Sequence, residues 1–113
     1  MIGTLTAVVS GVAALTATAA SADQSCDAKE VCFWEDALYG GNDVLTTQGY
    51  ENNWPNYIEN KDSSTSNRGT SGLGVRVFDN HDYKNRIYCV PSGVAWSRLN
   101  PQDRGSSHGW GSC

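Results

Sequence analysis

Residues 31–41 and 75–85 carry one pattern at an offset of 44. In each copy an aromatic (Trp34, Phe78) precedes an acidic residue, a second Asp or Asn, and a tyrosine five places on (Tyr39, Tyr83). Further along, Ser63-Ser64 stands against Ser106-Ser107 at an offset of 43, so the halves share landmarks at both ends. A repeat of this period means one supersecondary unit used twice, each burying its apolar face against the other.

The local patterns read as strands. Residues 30–35 and 73–79 are short, rich in β-branched and aromatic side chains, and stop at an Asp/Asn pair. In the second, Val75 and Val77 alternate with Gly74 and Arg76, which separates a buried from a wet face. Residues 44–47, 86–90 and 94–98 are weaker strand candidates. The polar, Ser/Gly-rich stretch 60–72 reads as a turn region followed by the connection between the halves. No helical period of useful length is present. Two all-β units of this size imply paired Greek keys packed as a sandwich.

All 8 basic and 12 acidic residues lie after Ala22. The first 22 residues are rich in Ala, Thr and Val and end in Ala20-Ser21-Ala22, the core and cleavage site expected of a secretory signal peptide. A membrane anchor is the rival reading, but the run is weakly apolar and barely long enough to span. Residues 23–113 then form a single small domain, with its first unit at about 30–72 and its second at about 73–113. A net charge of −4 argues against a nucleic-acid partner. Four cysteines in an exported chain (Cys26, Cys32, Cys89, Cys113) are expected to form disulfides, with three connectivities open. Cys26–Cys32 with Cys89–Cys113 is favoured, because each pair closes within its own part of the chain. The competing zinc site, with His81 and His108, lacks any Cys-x2-Cys pair.

Trp34-x4-Tyr39-x-Gly41 resembles the signature of the βγ-crystallin Greek key, in which two aromatics and a glycine shape a folded hairpin. The second copy, Phe78-x4-Tyr83-x-Asn85, has Asn at the glycine position, a residue that also tolerates φ > 0. The layout further resembles small secreted actinobacterial metalloproteinase inhibitors, family 36 of peptidase inhibitors. The shared features are the Cys26 to Cys32 opening, the Tyr39-Gly40-Gly41 turn, Tyr88-Cys89-Val90-Pro91-x-Gly93 and the Ser-Ser repeats. That resemblance implies an all-β, βγ-crystallin-like sandwich, disulfide-stapled, secreted and monomeric. Its expected activity is inhibition of an extracellular metalloprotease, with a non-inhibitory calcium module or a glycan-binding antifungal protein as alternatives.

The resemblance also nominates residues. The calcium loops of the superfamily run Asn/Asp, Asn/Asp, two free positions, Ser/Thr, Ser, and both copies depart at the first position, with Glu59 and Gln102. The implied ligands are the hydroxyls of Ser63 and Ser106, the side chains of Asn60 and Asp103, and the carbonyls of Lys61 and Arg104. One Asp and one Asn carry little charge, so weak affinity is expected. Turn capping is the competing reading. Cys89-Val90 resembles the family's disulfide-anchored reactive bond, with Val90 entering a protease pocket, although Pro91 removes a backbone donor and 86–90 also reads as a plain core strand. Trp54, among polar neighbours, is the sugar-binding candidate. His81-Asp82, Ser106-Ser107-His108 and Asp36 with Asp82 place catalytic residue types near one another, but no nucleophile motif surrounds them, and no enzyme is expected.

Overall fold

The computed structural model describes residues 26–113; the segment 1–22 read as a signal peptide lies outside the described residues. Seven strands follow in order: β1 (Val31–Asp36), β2 (Gly40–Thr47), β3 (Ser64–Asn67), β4 (Gly74–Asn80), β5 (Lys84–Val90), β6 (Ala95–Trp96) and β7 (Ser107–Gly111). They build two antiparallel sheets, ordered β2-β1-β3-β6 and β5-β4-β7. The halves exchange edges. β6, from the second half, pairs with β3 of the first, Thr65 opposite Trp96. In return Glu51 bridges to His108 of β7, with N–H···O bonds of 3.0 and 2.9 Å in the two directions.

Alternation along β1 and β4 sends Val31, Phe33, Val75 and Val77 between the sheets, where they meet Leu45, Trp54, Ile58 and Val90. The outer face of β1 is covered too: Cys32 and Trp34 form a second cluster with Cys26, against which Tyr39 and Val44 pack. The disulfides are Cys26–Cys32 and Cys89–Cys113, and no free cysteine is found among the described residues. The zinc alternative therefore has no thiolates to use.

The repeat extends to backbone dihedrals. Leu38, Tyr39, Gly41 and Asn60 have positive φ (59°, 57°, 94°, 58°), and so do Asp82, Tyr83, Asn85 and Asp103 (61°, 61°, 61°, 60°). Each hairpin folds over its own sheet with the tyrosine edge-on to the first aromatic: Trp34–Tyr39 at 5.1 Å and 71°, Phe78–Tyr83 at 5.9 Å and 76°. The second serine of each pair holds the fold. Ser64 Oγ donates to Asp36 O (2.7 Å) and accepts from Tyr39 N–H (3.0 Å). Ser107 Oγ donates to Asn80 O (2.6 Å) and accepts from Tyr83 N–H (3.1 Å).

The reading of 60–72 as turns and connection is corrected by β3, which lies within it and is buried at all four residues. The side chains of Ser64, Thr65 and Asn67 are satisfied by carbonyls of other strands and loops. Thr65 Oγ1 donates to Cys32 O at 2.8 Å, and Asn67 Nδ2 donates to Leu73 O at 3.1 Å and Val90 O at 3.0 Å. The 94–98 strand shrinks to Ala95–Trp96.

Two outcomes follow from these contacts. Ser64→Ala removes the buried hydroxyl that serves both the Tyr39 N–H and the Asp36 C=O, and is expected to cost about 1–3 kcal/mol in denaturant unfolding, with Ser107→Ala costing the same. His108 is fully buried; its Nδ1 accepts from Trp54 Nε1–H at 2.8 Å, and Nε2 faces Gly49 O at 3.0 Å. Burial lowers its pKa from 6.5 to about 4, against the pull of the Gly49 carbonyl. The unfolded chain thus takes up this proton first as the pH falls, so stability drops from about pH 6.5 and loses about 3 kcal/mol by pH 4. Urea unfolding at both pH values checks this; the His108→Gln variant should lack that part of the slope.

Candidate functional site

Two regions concentrate polar chemistry. The first is where the two Ser-Ser loops face each other at one end of the sandwich. Asn60 N–H donates to Gly105 O (2.8 Å) and Asp103 N–H to Asp62 O (2.7 Å), so each loop is held by the other half. The nominated side chains pair across the halves: Ser63 Oγ with Asp103 Oδ1 at 3.3 Å, and Ser106 Oγ with Asn60 Oδ1 at 3.4 Å. Oxygens bound at right angles to calcium at about 2.4 Å stand about 3.4 Å apart, so both pairs have the spacing of neighbouring ligands. Only the Ser63 pair carries a carboxylate. Lys61 lies beside the loop with its N–H on Ile58 O (2.9 Å), while Arg104 turns its guanidinium to Asp79 at 2.6 Å. No cluster of three or more His, Cys, Asp or Glu able to hold a metal occurs among the described residues, and any cation here depends on hydroxyl, amide and carbonyl oxygens.

Sequence reasoning passed over Asp62, the most enclosed charge in this region. It is fully buried. Its Oδ1 accepts from Arg104 N–H (3.0 Å) and Gly105 N–H (2.8 Å), and its Oδ2 accepts from Tyr88 O–H (2.6 Å). Burial pushes its carboxyl above the ordinary value while these donors pull it back. Burial, and then the facing carboxylate, push the Tyr88 hydroxyl well above its own. The three donors occupy Asp62 as a strut between loops. The signal for it was the repeat: Asp62 stands where the second half has Gly105, and a Cβ at 105 would run into the Trp54 ring.

The second region follows Cys89. Val90 is fully buried and pairs with Val75. The reading of Val90 as a pocket-entering residue is therefore corrected: its side chain is part of the inter-sheet core, and its carbonyl is taken by Asn67 Nδ2. After Val90 the chain first reaches the surface in the 91–93 turn, where Pro91 and Gly93 are exposed. That turn is pinned by Gly93 N–H to Asn67 O (3.0 Å), Asn67 N–H to Val94 O (2.9 Å) and Val94 N–H to Pro91 O (3.1 Å). Cys89–Cys113 anchors its approach.

Other nominated residues are structural. Trp54 is 1% exposed and stacks on Phe33 at 4.5 Å, which overturns it as a sugar platform. His81 pairs with Glu59 on the surface, and Asp82 Oδ1 accepts from Asn52 Nδ2 at 3.2 Å. His108 and Ser107 are committed to Trp54 and to the Asn80 carbonyl, so no nucleophile–base pair forms from 106–108.

Solved structures share this architecture. A βγ-crystallin from an archaeon superposes with a TM-score of 0.62 at 18% identity, covering 74% of this chain and 99% of that one. A βγ-crystallin domain from Clostridium beijerinckii gives 0.57 at 24%, covering 74% and 99%. A βγ-crystallin from Ciona intestinalis gives 0.59 at 17%, covering 72% and 98%. These likenesses establish the fold, all-β and βγ-crystallin-like. No curated protein matches the chain. The pattern of one family runs over residues 19–90, more than half of the sequence, and on that match the chain belongs to Peptidase inhibitor family I36.

Proposed function

We propose that this protein is a secreted, monomeric inhibitor of an extracellular metallopeptidase, and that it meets the enzyme through the 91–93 turn after Cys89. Family membership supports the partner class. The observation that carries the loop assignment is its rigidity: a short exposed turn held by three backbone hydrogen bonds, one disulfide and the Asn67 amide. A loop already in one conformation loses little entropy on entering a cleft, and it is hard to distort further after binding, which is how a substrate-like segment inhibits instead of being turned over. The two disulfides fit an oxidising, extracellular setting.

Titrating oxidised protein into a thermolysin-like peptidase, at a fixed calcium concentration that keeps the peptidase folded, should abolish activity near one equivalent. The Cys89→Ala/Cys113→Ala variant should inhibit at least about tenfold more weakly and be cleaved within the turn, seen by mass spectrometry. An unchanged rate at large excess over a panel of metallopeptidases sinks the reading.

A second reading, calcium binding at the facing loops, is favoured by the cross-paired oxygens Ser63/Asp103 and Ser106/Asn60. A bound ion would supply a positive charge bridging the two loops. The carboxylate-bearing pair should be the stronger site. Calorimetry of metal-stripped protein should show heat with calcium in the micromolar to millimolar range, weakened by Asp103→Asn more than by Asn60→Ala; no heat up to millimolar calcium removes it.

A further inference from the structure

The tip of the β1–β2 hairpin breaks a rule that its copy in the second half keeps. Both tips run two consecutive non-glycine residues through the left-handed region, Leu38-Tyr39 and Asp82-Tyr83. Both are tied by their first amide to the crossing segment of the other half, Leu38 N–H to Ser97 O at 2.7 Å and Asp82 N–H to Asn52 O at 2.8 Å. In the second tip the side chain suits its place. Asp is among the residues enriched in this conformation, and its carboxylate accepts from Asn52 Nδ2. Leucine has neither advantage. It takes the steric penalty of the left-handed region, and its side chain is 60% exposed. A lone exposed leucine on relaxed backbone would be ordinary surface. A bulky apolar residue forced to positive φ and then left in water is an outlier from which this fold draws no packing, and such outliers gather at functional positions.

The tip is held firmly. The next residue, Tyr39, donates its N–H to the buried Ser64 hydroxyl and stacks edge-on against Trp34, so Leu38 projects in a fixed direction. It lies at the other end of β6 from the 91–93 turn, which meets β3 at Asn67, while Leu38 and Ser97 stand at the Ser64 end. Ser97, its anchor, follows β6, the outermost strand of the four-stranded sheet, and four Cα–Cα steps separate Gly93 from Ser97, a reach of about 14 Å at most.

We infer that Leu38 is the apolar anchor of the inhibitory interface, seated in a leucine-accepting, hydrophobic subsite of the target while the 91–93 turn contacts the same enzyme further along the cleft. This rests on the inhibitor reading above. The partner it selects is a metallopeptidase whose subsite is lined by apolar side chains; one with a charged subsite is refused, because it offers leucine nothing.

The test compares the oxidised wild type with Leu38→Asn and Leu38→Met, each measured for inhibition constant against a thermolysin-like peptidase and for melting temperature. Asn approximates the size of Leu and relaxes at positive φ, so it should melt no lower than the wild type yet inhibit roughly 10- to 200-fold more weakly, the loss of one buried leucine side chain. Met keeps the apolar contact and should inhibit within about threefold of the wild type. A residue with only a structural role would lower melting temperature and inhibition together. Leu38→Asn inhibiting as tightly as the wild type overturns the anchor and leaves the inhibitor standing. A wild type that inhibits no such peptidase overturns both.

Discussion

The fold rests on one hydroxyl used twice. A hairpin that bends back over its own sheet must carry two residues at positive φ, and it leaves an amide and a carbonyl facing inward with no strand beside them. Ser64 and Ser107 answer both groups with a single oxygen, buried where water cannot compete. Once the hairpin is pinned, the tyrosine is delivered onto Trp34 or Phe78, and the first serine of the pair is brought to the facing loop.

The two halves are copies in backbone and differ in side chains. Where the first half has Asp62, the second has Gly105, and the two meet: the carboxylate accepts from the glycine N–H while the Trp54 ring lies over the missing Cβ. The junction is thus filled from one side by charge and from the other by an indole. The same divergence separates Leu38 from Asp82 at the hairpin tips. Duplication supplied the scaffold, and single-residue differences between copies mark where each half took on a task of its own.

Much of this was legible in the sequence, for identifiable reasons. The repeat, β1 and β4 announce themselves because their burial is apolar and follows strand alternation. The local disulfide pairs were favoured by loop closure alone. β3 and β7 were invisible because Ser64-Thr65-Ser66-Asn67 and Ser107-His108 are buried polar residues, whose acceptors and donors lie some thirty or more residues away for Thr65 and His108. Trp54 misled for the opposite reason: its neighbours are polar and exposed, while the ring itself turns inward onto Phe33 and His108. The family resemblance nominated the facing-loop residues but not their pairing, since Ser63 meets Asp103 of the other half and not Asn60 of its own.

The exchange of β6 for the Glu51 bridge has a bearing on how such a molecule can come apart. Each sheet is completed by the other half, so neither unit keeps its full set of backbone partners when the other unfolds. Separating them would bare the outer edge of β3 in one sheet and of β7 in the other, and exposed edges of this kind recruit strands from other chains. The opening of one half therefore weakens the other, which favours unfolding of the sandwich as a unit and disfavours a half-folded form that a protease could nick. For a protein whose family works in the company of proteases, that cooperativity is itself a form of protection.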